Sequence, residues 1–151
     1  MKGSYRYLGR FLIHLYEKLG RSAHFAGDLQ LEGERSDIWL ADNEAYDIVI
    51  EGRKMGGNAQ RHTRQALFQH GSIPMSVDES RFRPLFLQES GLEAAATLQR
   101  LGCEVAYEEL AGLLKEAFSE TFEVPCAAGL LTAAGEERGE GGRVSKNRQG
   151  R

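Results

Sequence analysis

A glycine-rich, basic segment that follows a strand-like segment is the feature that most constrains this chain. Residues 46–50 alternate in the manner of a β-strand, and Glu51 and Gly52 predict a tight turn after it. Residues 54–60 are predicted to return as a second strand, with a bulge or a close main-chain approach at the glycine pair 56–57. The pattern therefore predicts an antiparallel unit that places basic side chains beside exposed main chain.

Helices are predicted on both sides of this unit in the sequence. Leucines at helical spacing predict an amphipathic helix over Ser4–Leu19, and the clearest helical pattern covers Tyr107–Phe122. The other predicted elements are a polar connection at 27–34, a short strand at 36–40, a third strand at 66–75, a short or distorted helix at 80–87, and a helix at 92–101 that Gly102 ends.

The expected fold class is therefore α+β, with a small antiparallel or mixed sheet and flanking helices. The strands in their simplest order form an antiparallel meander. Residues 1–134 are expected to form one domain. Residues 135–151 hold a single sizeable apolar residue, Val144, and are expected to be a disordered tail because they can bury too little surface to offset their ordering entropy.

Composition excludes several classes of protein. The net charge of −3 argues against a nucleic-acid partner, and no apolar run approaches the roughly 20 residues that a membrane span requires. The two cysteines, Cys103 and Cys126, and the four histidines are scattered, which predicts no disulfide framework and no confident metal site. We expect reduced, partly buried thiols in a cytoplasmic protein without a membrane partner.

Lys54 is the first candidate for a catalytic residue. Residues 52–76 contain no Asp or Glu, so Arg53, Lys54, Arg61 and Arg64 predict a local positive field in an acidic chain. An ammonium in a dry pocket stabilises a phosphate or a developing oxyanion strongly. The alternative is a solvent-exposed Arg-Lys pair at a hairpin turn, with glycines that serve the turn alone. Four charges without interleaved aromatic residues give little support for nucleic-acid binding.

Three further residues are candidates for ligand binding. The Asn58 amide can donate or accept a hydrogen bond, and His70, beside Gly71, can bond a ligand or a nearby carboxylate. Asp37, beside Trp39, can hold Mg²⁺ or a ligand hydroxyl. The alternatives are a hydrogen-bonded core histidine at position 70 and a solvated or capping carboxylate at position 37.

Two ordered motifs carry a family resemblance. The run GRKMGGNAQRHTRQALFQHGSI resembles the second half of the catalytic domain of the lipoate–protein ligase A and lipoyl/octanoyl transferase superfamily, which shares its fold with biotin–protein ligases. With the flanking helices the resemblance covers residues 4–137, so residues 1–134 are expected to form a partial catalytic domain of this type. That family has an RK-x-x-G-[NS]-A-Q strand followed by an H-G-[ST]-I strand. The matching residues are Arg53, Lys54, Gly57, Asn58, Ala59 and Gln60 in the first motif, and Leu67, Gln69, His70, Gly71, Ser72 and Ile73 in the second.

The resemblance implies a chemistry and a set of roles. Ligase members activate lipoate or octanoate with ATP and Mg²⁺ to an acyl-adenylate and pass the acyl group to a lysine of a lipoyl domain. Transferase members take an octanoyl group from a carrier protein. By this match Lys54 contacts the acyl carbonyl and the adenylate phosphate, and no bound prosthetic group is implied. The binding residues implied are Arg53, Gly56, Gly57, Asn58, Ala59, His70, Gly71 and Asp37. Asp37 resembles the second residue of an Asn-Asp pair in ligase members, although Ser36 stands where the Asn is usual.

Two departures from the family pattern are evident. The family's N-terminal glycine-rich loop of R-R-x-[ST]-G-G-G type does not occur, so we expect a fragment, a shortened gene product, a degenerate member that acts as a non-catalytic binding module, or one half of an enzyme with a separate N-terminal polypeptide. Cysteine-dependent members place a nucleophile near position 39, where Trp39 stands, and residues 1–102 contain no cysteine. The resemblance therefore favours the ligase branch, with lipoate and octanoate both open.

Overall fold

The computed structural model describes residues 2–29, 44–82, 84 and 95–129. Its class is α+β, as predicted. In chain order the elements are helix α1 (Lys2–Lys18), strand β1 (Ala23–Phe25), a 3₁₀ turn (Ala26–Asp28), strands β2 (Ile48–Ile50), β3 (Arg53–Lys54), β4 (Gly57–His62) and β5 (Leu67–Ser72), and helices α2 (Glu79–Phe82) and α3 (Tyr107–Phe122).

Helix α1 ends in a glycine cap that the sequence predicted. Gly20 has a φ of +73°, a left-handed conformation that glycine adopts without a steric penalty. The N–H of Gly20 donates to the carbonyl of Glu17, and the N–H of Arg21 donates to the carbonyl of Tyr16. This pair of bonds is the Schellman arrangement, which satisfies carbonyls that the helix end leaves without partners.

Strand β2 is the central strand of a three-stranded antiparallel sheet. Its neighbours are β1 and β3, and its three residues are all buried, so the predicted alternation between two faces does not describe its burial. The turn to β3 consists of Glu51 and Gly52, with φ values of 52° and 75°. Positive φ at both central residues is what a type I′ turn requires, and such a turn matches the twist of the strands that it joins.

The second predicted strand is interrupted, and the meander divides into two sheets. Instead of one strand over 54–60, β3 ends at Lys54 and β4 begins at Gly57. Strands β4 and β5 form a separate antiparallel hairpin, and β5 is shorter than the predicted strand at 66–75. Gly56 has a φ of +68°, so the chain turns out of the first sheet at this residue. Strand β1 was not predicted.

Helices α1 and α3 pack against each other and cover the core. Helix α3 has the predicted bounds, and Phe11 of α1 meets Phe118 of α3 edge to face with ring centroids 5.3 Å apart. Within the described residues, Leu15, Tyr16 and Ile50 are among the largest side chains that are completely buried. The core therefore lies where α1, α3 and the three-stranded sheet meet.

The predicted helix at 92–101 is absent from its described part, 95–101. Main-chain N–H groups there bond to other segments: Ala96 donates to the carbonyl of Lys54, and Leu98 donates to the carbonyl of Pro74. These bonds replace the helical ones, so tertiary contacts override the local propensity. The predicted strand at 36–40 and the predicted tail at 135–151 lie outside the described residues. None of the described helices has the length and apolar character to cross a bilayer.

Candidate functional site

The Lys54 ammonium lies in the interior and pairs with a carboxylate that sequence reasoning missed. Its Nζ is 2.7 Å from Oδ2 of Asp47, and the two side chains are 10% and 8% exposed. Oδ2 of Asp47 also accepts a hydrogen bond from the main-chain N–H of Glu44, at 2.8 Å. The alternative of an exposed Arg-Lys pair therefore holds for Arg53, which is exposed, and fails for Lys54.

This pair corrects the predicted electrostatics. An acid-free run of sequence at 52–76 predicted a positive field around Lys54, yet Asp47 comes from the preceding strand segment and neutralises the ammonium. Both charges are shielded from water, so breaking the pair from one side would leave a buried charge without a partner. Such a loss typically costs about 3–5 kcal/mol.

A signal for Asp47 was present in the sequence. The two-residue turn at 51–52 fixes the register in which Val49 lies opposite Lys54. Residues two apart on a strand share a face, so Asp47 lies diagonally across from Lys54 on the face of Val49. Carrying the predicted turn through to its register would have found the pair.

The two adjacent glycines at 56 and 57 have different requirements. A Cβ at Gly56 would lie 2.1 Å from the carbonyl oxygen of Ser72, and its φ is positive, so glycine is required for the fold. A Cβ at Gly57 would meet nothing within 4 Å. Space for a ligand group is therefore free at Gly57 and not at Gly56, and the binding of a ligand at either glycine stays a prediction.

Asn58 and Gly71 are brought together by the pairing of β4 and β5. They are Cα partners in the hairpin. A Cβ at Gly71 would lie 2.3 Å from Oδ1 of Asn58 and 2.8 Å from the carbonyl oxygen of Gly57. Gly71 is thus needed because the Asn58 side chain lies over it. This requirement differs from that at Gly56, where a Cβ would collide with main chain.

His70 and Ala59 occupy the opposite face of this hairpin. They are Cα partners, and both are exposed. The His70 ring lies 5.8 Å from the ring of Phe68, which is 62% exposed. The alternative of a core histidine is therefore wrong. Since Asn58 and His70 lie on different faces, the hairpin does not bring all predicted ligand-binding residues into one cavity, and Lys54 and His70 make no hydrogen bond with each other.

Gln60 joins the hairpin to helix α1. Its main-chain N–H donates to the hydroxyl of Tyr5 at 2.9 Å, and its Oε1 accepts a hydrogen bond from the Ser4 hydroxyl at 2.7 Å. Its side-chain Nε2 donates to Oε1 of Gln69 on the neighbouring strand β5. The Gln60 and Asn58 face of β4 is consequently the one that meets α1, which gives the motif glutamine a positioning role.

The remaining predicted site features lie elsewhere. Asp37 falls outside the described residues. Cys103 is half-buried and accepts a hydrogen bond from Arg21, whereas Cys126 is exposed, contrary to the expectation of a partly buried thiol. In residues 2–29, 44–82, 84 and 95–129 no three His, Cys, Asp or Glu side chains are grouped to hold a metal ion.

A surface cleft of about 500 Å³ lies along helix α1 and strand β1. Its lining includes Arg6, Arg10, His14, His24 and Phe25, and none of the predicted site residues. Nη2 of Arg6 donates to both carboxylate oxygens of Asp28, each at 2.9 Å. Nε2 of His14 lies 2.6 Å from Oε2 of Glu120. The cleft and the Lys54 pair are thus separate features of the molecule.

Comparison with known proteins agrees with the resemblance seen in the sequence. Residues 1–119 match the family described as the lipoyl protein ligase A/B catalytic domain. Among curated relatives, octanoyltransferase LipM of Kyrpidia tusciae is 33% identical over 153 aligned positions, covering 91% of this chain and 56% of the relative. Octanoyltransferase LipM of Oceanobacillus iheyensis is 29% identical, covering 87% and 52%. The chain spans about half the length of these relatives.

Solved structures share the fold. A lipoate-protein ligase A structure with bound ATP superposes with a TM-score of 0.75 at 20% identity, covering 93% of this chain and 54% of that one. Protein Ta0514 of T. acidophilum, described as a lipoate protein ligase and solved with lipoic acid, gives a TM-score of 0.73 at 20% identity, covering 92% and 53%. At this identity the likeness establishes the architecture.

Proposed function

Because the chain belongs to the lipoyl protein ligase A/B catalytic domain family, we propose that it takes part in transferring an octanoyl or lipoyl group to a lysine of a lipoyl-domain acceptor protein. The observation that carries the proposal is the buried Lys54 ammonium beside a glycine-lined turn of main chain. In this role Lys54 donates to the oxygen of the acyl carbonyl.

The chemistry follows from the position of charge during acyl transfer. The acceptor amine attacks the carbonyl carbon, the new C–N bond forms, and the bond to the leaving group breaks as the amine loses a proton. Negative charge develops on the carbonyl oxygen. An ammonium held in place in a water-poor site stabilises that charge without having to reorganise. Among the described residues Asp47 is the one ion-pair partner of Lys54, so N–H donors remain on the ammonium for the acyl oxygen.

Two routes to the activated acyl group are candidates. The first is ATP-dependent formation of an acyl-adenylate, favoured by the absence of cysteine from residues 1–102 and by the fold shared with an ATP-bound lipoate-protein ligase A. The second is transfer of octanoate from a thioester, favoured by the curated relatives that are named octanoyltransferases. Both routes end in the same attack on an acyl carbonyl at Lys54.

The proposal includes a part of the enzyme beyond these residues. The curated relatives are about twice as long as the matched region, so the rest of the acyl site comes from another segment of the protein or from a separate N-terminal polypeptide. If the chain binds an acyl ligand without transferring it, it is instead a binding module of this family.

Removing the buried ion pair as a unit tests the role of Lys54. The variant K54M/D47L takes away the ammonium without leaving Asp47 unpaired, and apolar replacement of a buried pair is often neutral for stability. We expect it to bind octanoyl-sulfamoyl-adenosine, a stable mimic of the acyl-adenylate, at least about tenfold more weakly than the wild type by calorimetry, which corresponds to the loss of one charge-assisted hydrogen bond.

The matched control is K115M, which removes an exposed lysine from helix α3. It is expected to bind the mimic as the wild type does. Circular dichroism and urea unfolding establish that each variant is folded. Equal affinity of the wild type and K54M/D47L would eliminate the proposed contact with the acyl group.

The activation route is tested by supplying different donors to the protein together with its lipoyl-domain acceptor. Release of pyrophosphate from ATP and octanoate indicates the ligase route. Acylation of the acceptor from an octanoyl thioester without ATP indicates the transferase route. Binding of the mimic with neither reaction indicates the binding module.

A further inference from the structure

The side chain of Tyr5, near the start of helix α1, contacts one sheet and the segment that leads into the other. Its hydroxyl accepts the main-chain N–H of Gln60 in β4 at 2.9 Å. Its ring stacks on that of Tyr46, with centroids 4.1 Å apart and planes inclined by 19°. Tyr46 lies directly before Asp47 and strand β2. One side chain of α1 therefore links the hairpin to the three-stranded sheet.

The hydroxyl of Tyr5 uses an N–H group that the hairpin itself leaves unused. The N–H of Thr63 donates to the carbonyl of Ala66, so these two residues form a hydrogen-bonded pair at the turn. Bonded and non-bonded pairs alternate along antiparallel strands, which makes the opposed residues Gln60 and Gln69 a non-bonded pair. The Gln60 N–H therefore points away from β5, and the Tyr5 hydroxyl holds β4 against α1 without taking part in the pairing of β4 with β5.

The ring of Tyr5 leads to the Lys54 pair through a short series of contacts. A hydrogen bond with Glu44, and then burial, raise the pKa of Tyr46 to about 12. The main-chain N–H of Glu44 donates to Oδ2 of Asp47 at 2.8 Å, and the same oxygen lies 2.7 Å from Nζ of Lys54. The stacked ring of Tyr46 is therefore fixed beside the carboxylate that holds the ammonium.

The predicted ligand groups at this place belong to two different sheets. Lys54 ends β3, whereas Gly57 and Asn58 begin β4, and the two sheets do not pair with each other within the described residues. Their relative position therefore depends on contacts that cross from one sheet to the other. Asn58 and Gln60 are two apart on β4 and share the face that meets α1. A displacement of β4 at Gln60 would consequently move Asn58 relative to Lys54.

We infer that Tyr5 is a positioning residue for the acyl site, because it holds the end of the hairpin that carries Gly57 and Asn58 in place beside Lys54. The inference rests on the proposed contact between Lys54 and the acyl group. It adds a residue of helix α1 that acts through Gln60 and Tyr46 and not through a contact with the ligand.

The variant Y5F removes the hydroxyl and keeps the ring, so the stack on Tyr46 is retained. The amide hydrogen of Gln60 should exchange with solvent deuterium about threefold faster or more, because it loses its acceptor. Affinity for octanoyl-sulfamoyl-adenosine, measured by calorimetry, should fall by about threefold or more. A role limited to stability would lower the urea midpoint and leave the affinity of the folded protein unchanged.

The matched control is Y7F, which makes the same change two positions further along the same helix. Tyr7 is 58% exposed, and its ring packs near Phe122 of α3 and not against the hairpin. Y7F should bind the mimic as the wild type does and leave the exchange of Gln60 unchanged. Wild-type affinity in Y5F, or an equal loss of affinity in Y7F, would overturn the inference.

A second measurement needs no ligand. In nuclear magnetic resonance spectra the amide signal of Asn58 should move in Y5F, and the Cε signal of Lys54 should move in Y5L, which also lacks the stacking ring. Y7F and Y7L are the controls and should leave both signals at their wild-type positions. If the Asn58 signal stays at its wild-type position in Y5F, Tyr5 does not position the hairpin, and this result would stand even if Y5L did not fold.

The outcomes separate this inference from the proposed function. If K54M/D47L loses binding of the mimic while Y5F retains it, Lys54 contacts the acyl group and Tyr5 does not position the site. If the wild type does not bind the mimic, the proposed function fails, and the signals of Asn58 and Lys54 still decide whether Tyr5 links the two sheets. Weaker binding in both K54M/D47L and Y5F, with wild-type binding in Y7F, supports both proposals.

Discussion

Gly56 and Gly57 are adjacent in the sequence, yet a side chain would meet different surroundings at the two positions. At Gly56 a Cβ would collide with the Ser72 carbonyl oxygen at 2.1 Å, whereas Gly57 faces open space. A collision with main chain cannot be relieved by rotating a side chain. The composition of the motif therefore predicted that glycines matter here, and only the neighbouring strand separates the one required for folding from the one that leaves room.

Alanine substitutions test this distinction. We expect Gly56→Ala to lower the free energy of unfolding by about 2 kcal/mol or more, since a left-handed non-glycine residue costs about 1–2 kcal/mol before the collision is counted. Gly57→Ala should change it by less than about 1 kcal/mol. Urea unfolding followed by circular dichroism measures both, and equal losses at the two positions would contradict the assignment.

At the same scale, sequence reasoning located Lys54 and missed its partner. The choice of Lys54 followed from residue type and neighbours, which are visible in one short stretch. Its environment depended on Asp47, which reaches it through the register of a hairpin and appears seven residues earlier as one acid among several. Charge counted along the chain therefore missed the neutralisation of Lys54, because strand pairing and not sequence distance sets which charges meet.

At the scale of elements, the pairing of α1 and α3 is held at its surface mainly by Glu120, with a longer contact from Glu116 to Lys18. Glu120 of α3 accepts hydrogen bonds from Lys18 at 2.9 Å and lies 2.6 Å from the His14 ring. Leucine and phenylalanine spacing predicted both helices closely. It could not predict this contact, because which faces meet depends on the angle at which the helices cross.

Glu120→Gln should make stability less dependent on pH. The bond from Lys18, and then that from His14, hold the pKa of Glu120 below its ordinary value of 4.5, and the same contact with Glu120 raises the pKa of Lys18 above 10.5. A lowered carboxyl pKa stabilises the fold above the unfolded value and loses that contribution as pH falls through the folded value. A raised lysine pKa stabilises below about 10.5 and is lost above it.

The stability difference between the wild type and Glu120→Gln should therefore be present between about pH 5 and pH 10 and should decline as the pH falls below 4.5. Urea midpoints across this range measure it. Glu116→Gln, which removes a longer contact of 3.5 Å to Lys18, is the matched control and should have a smaller effect. A difference that grows on acidification would contradict the direction of the Glu120 shift.

At the scale of the whole molecule, the core is a junction of distant segments. Leu15 of α1 is completely buried. Its cluster includes Ile50 of β2, Leu110 of α3, and Leu98 from the irregular segment before α3. The α+β class and the amphipathic helices were predictable from periodicity. The division into two sheets and the irregular path of 95–103 were not, because both arise from hydrogen bonds between segments that are remote in the chain.

Leu15→Ala is expected to lower the free energy of unfolding by about 2–5 kcal/mol, through lost burial and the cavity that remains. Leu19→Ala, at the half-buried residue that follows the same helix, is the control and should cost less. Chemical denaturation of the two variants provides the comparison. A cost at Leu19 equal to that at Leu15 would mean that the junction is not centred on Leu15.

The hydrogen bond from Ala96 to the Lys54 carbonyl also has a consequence for biosynthesis. A nascent chain that has left the ribosome only as far as β5 contains every glycine and basic residue of the two motifs. It lacks the N–H of Ala96, which donates to the carbonyl of Lys54 in strand β3. Lys54 can therefore gain this contact only after residue 96 has left the ribosome.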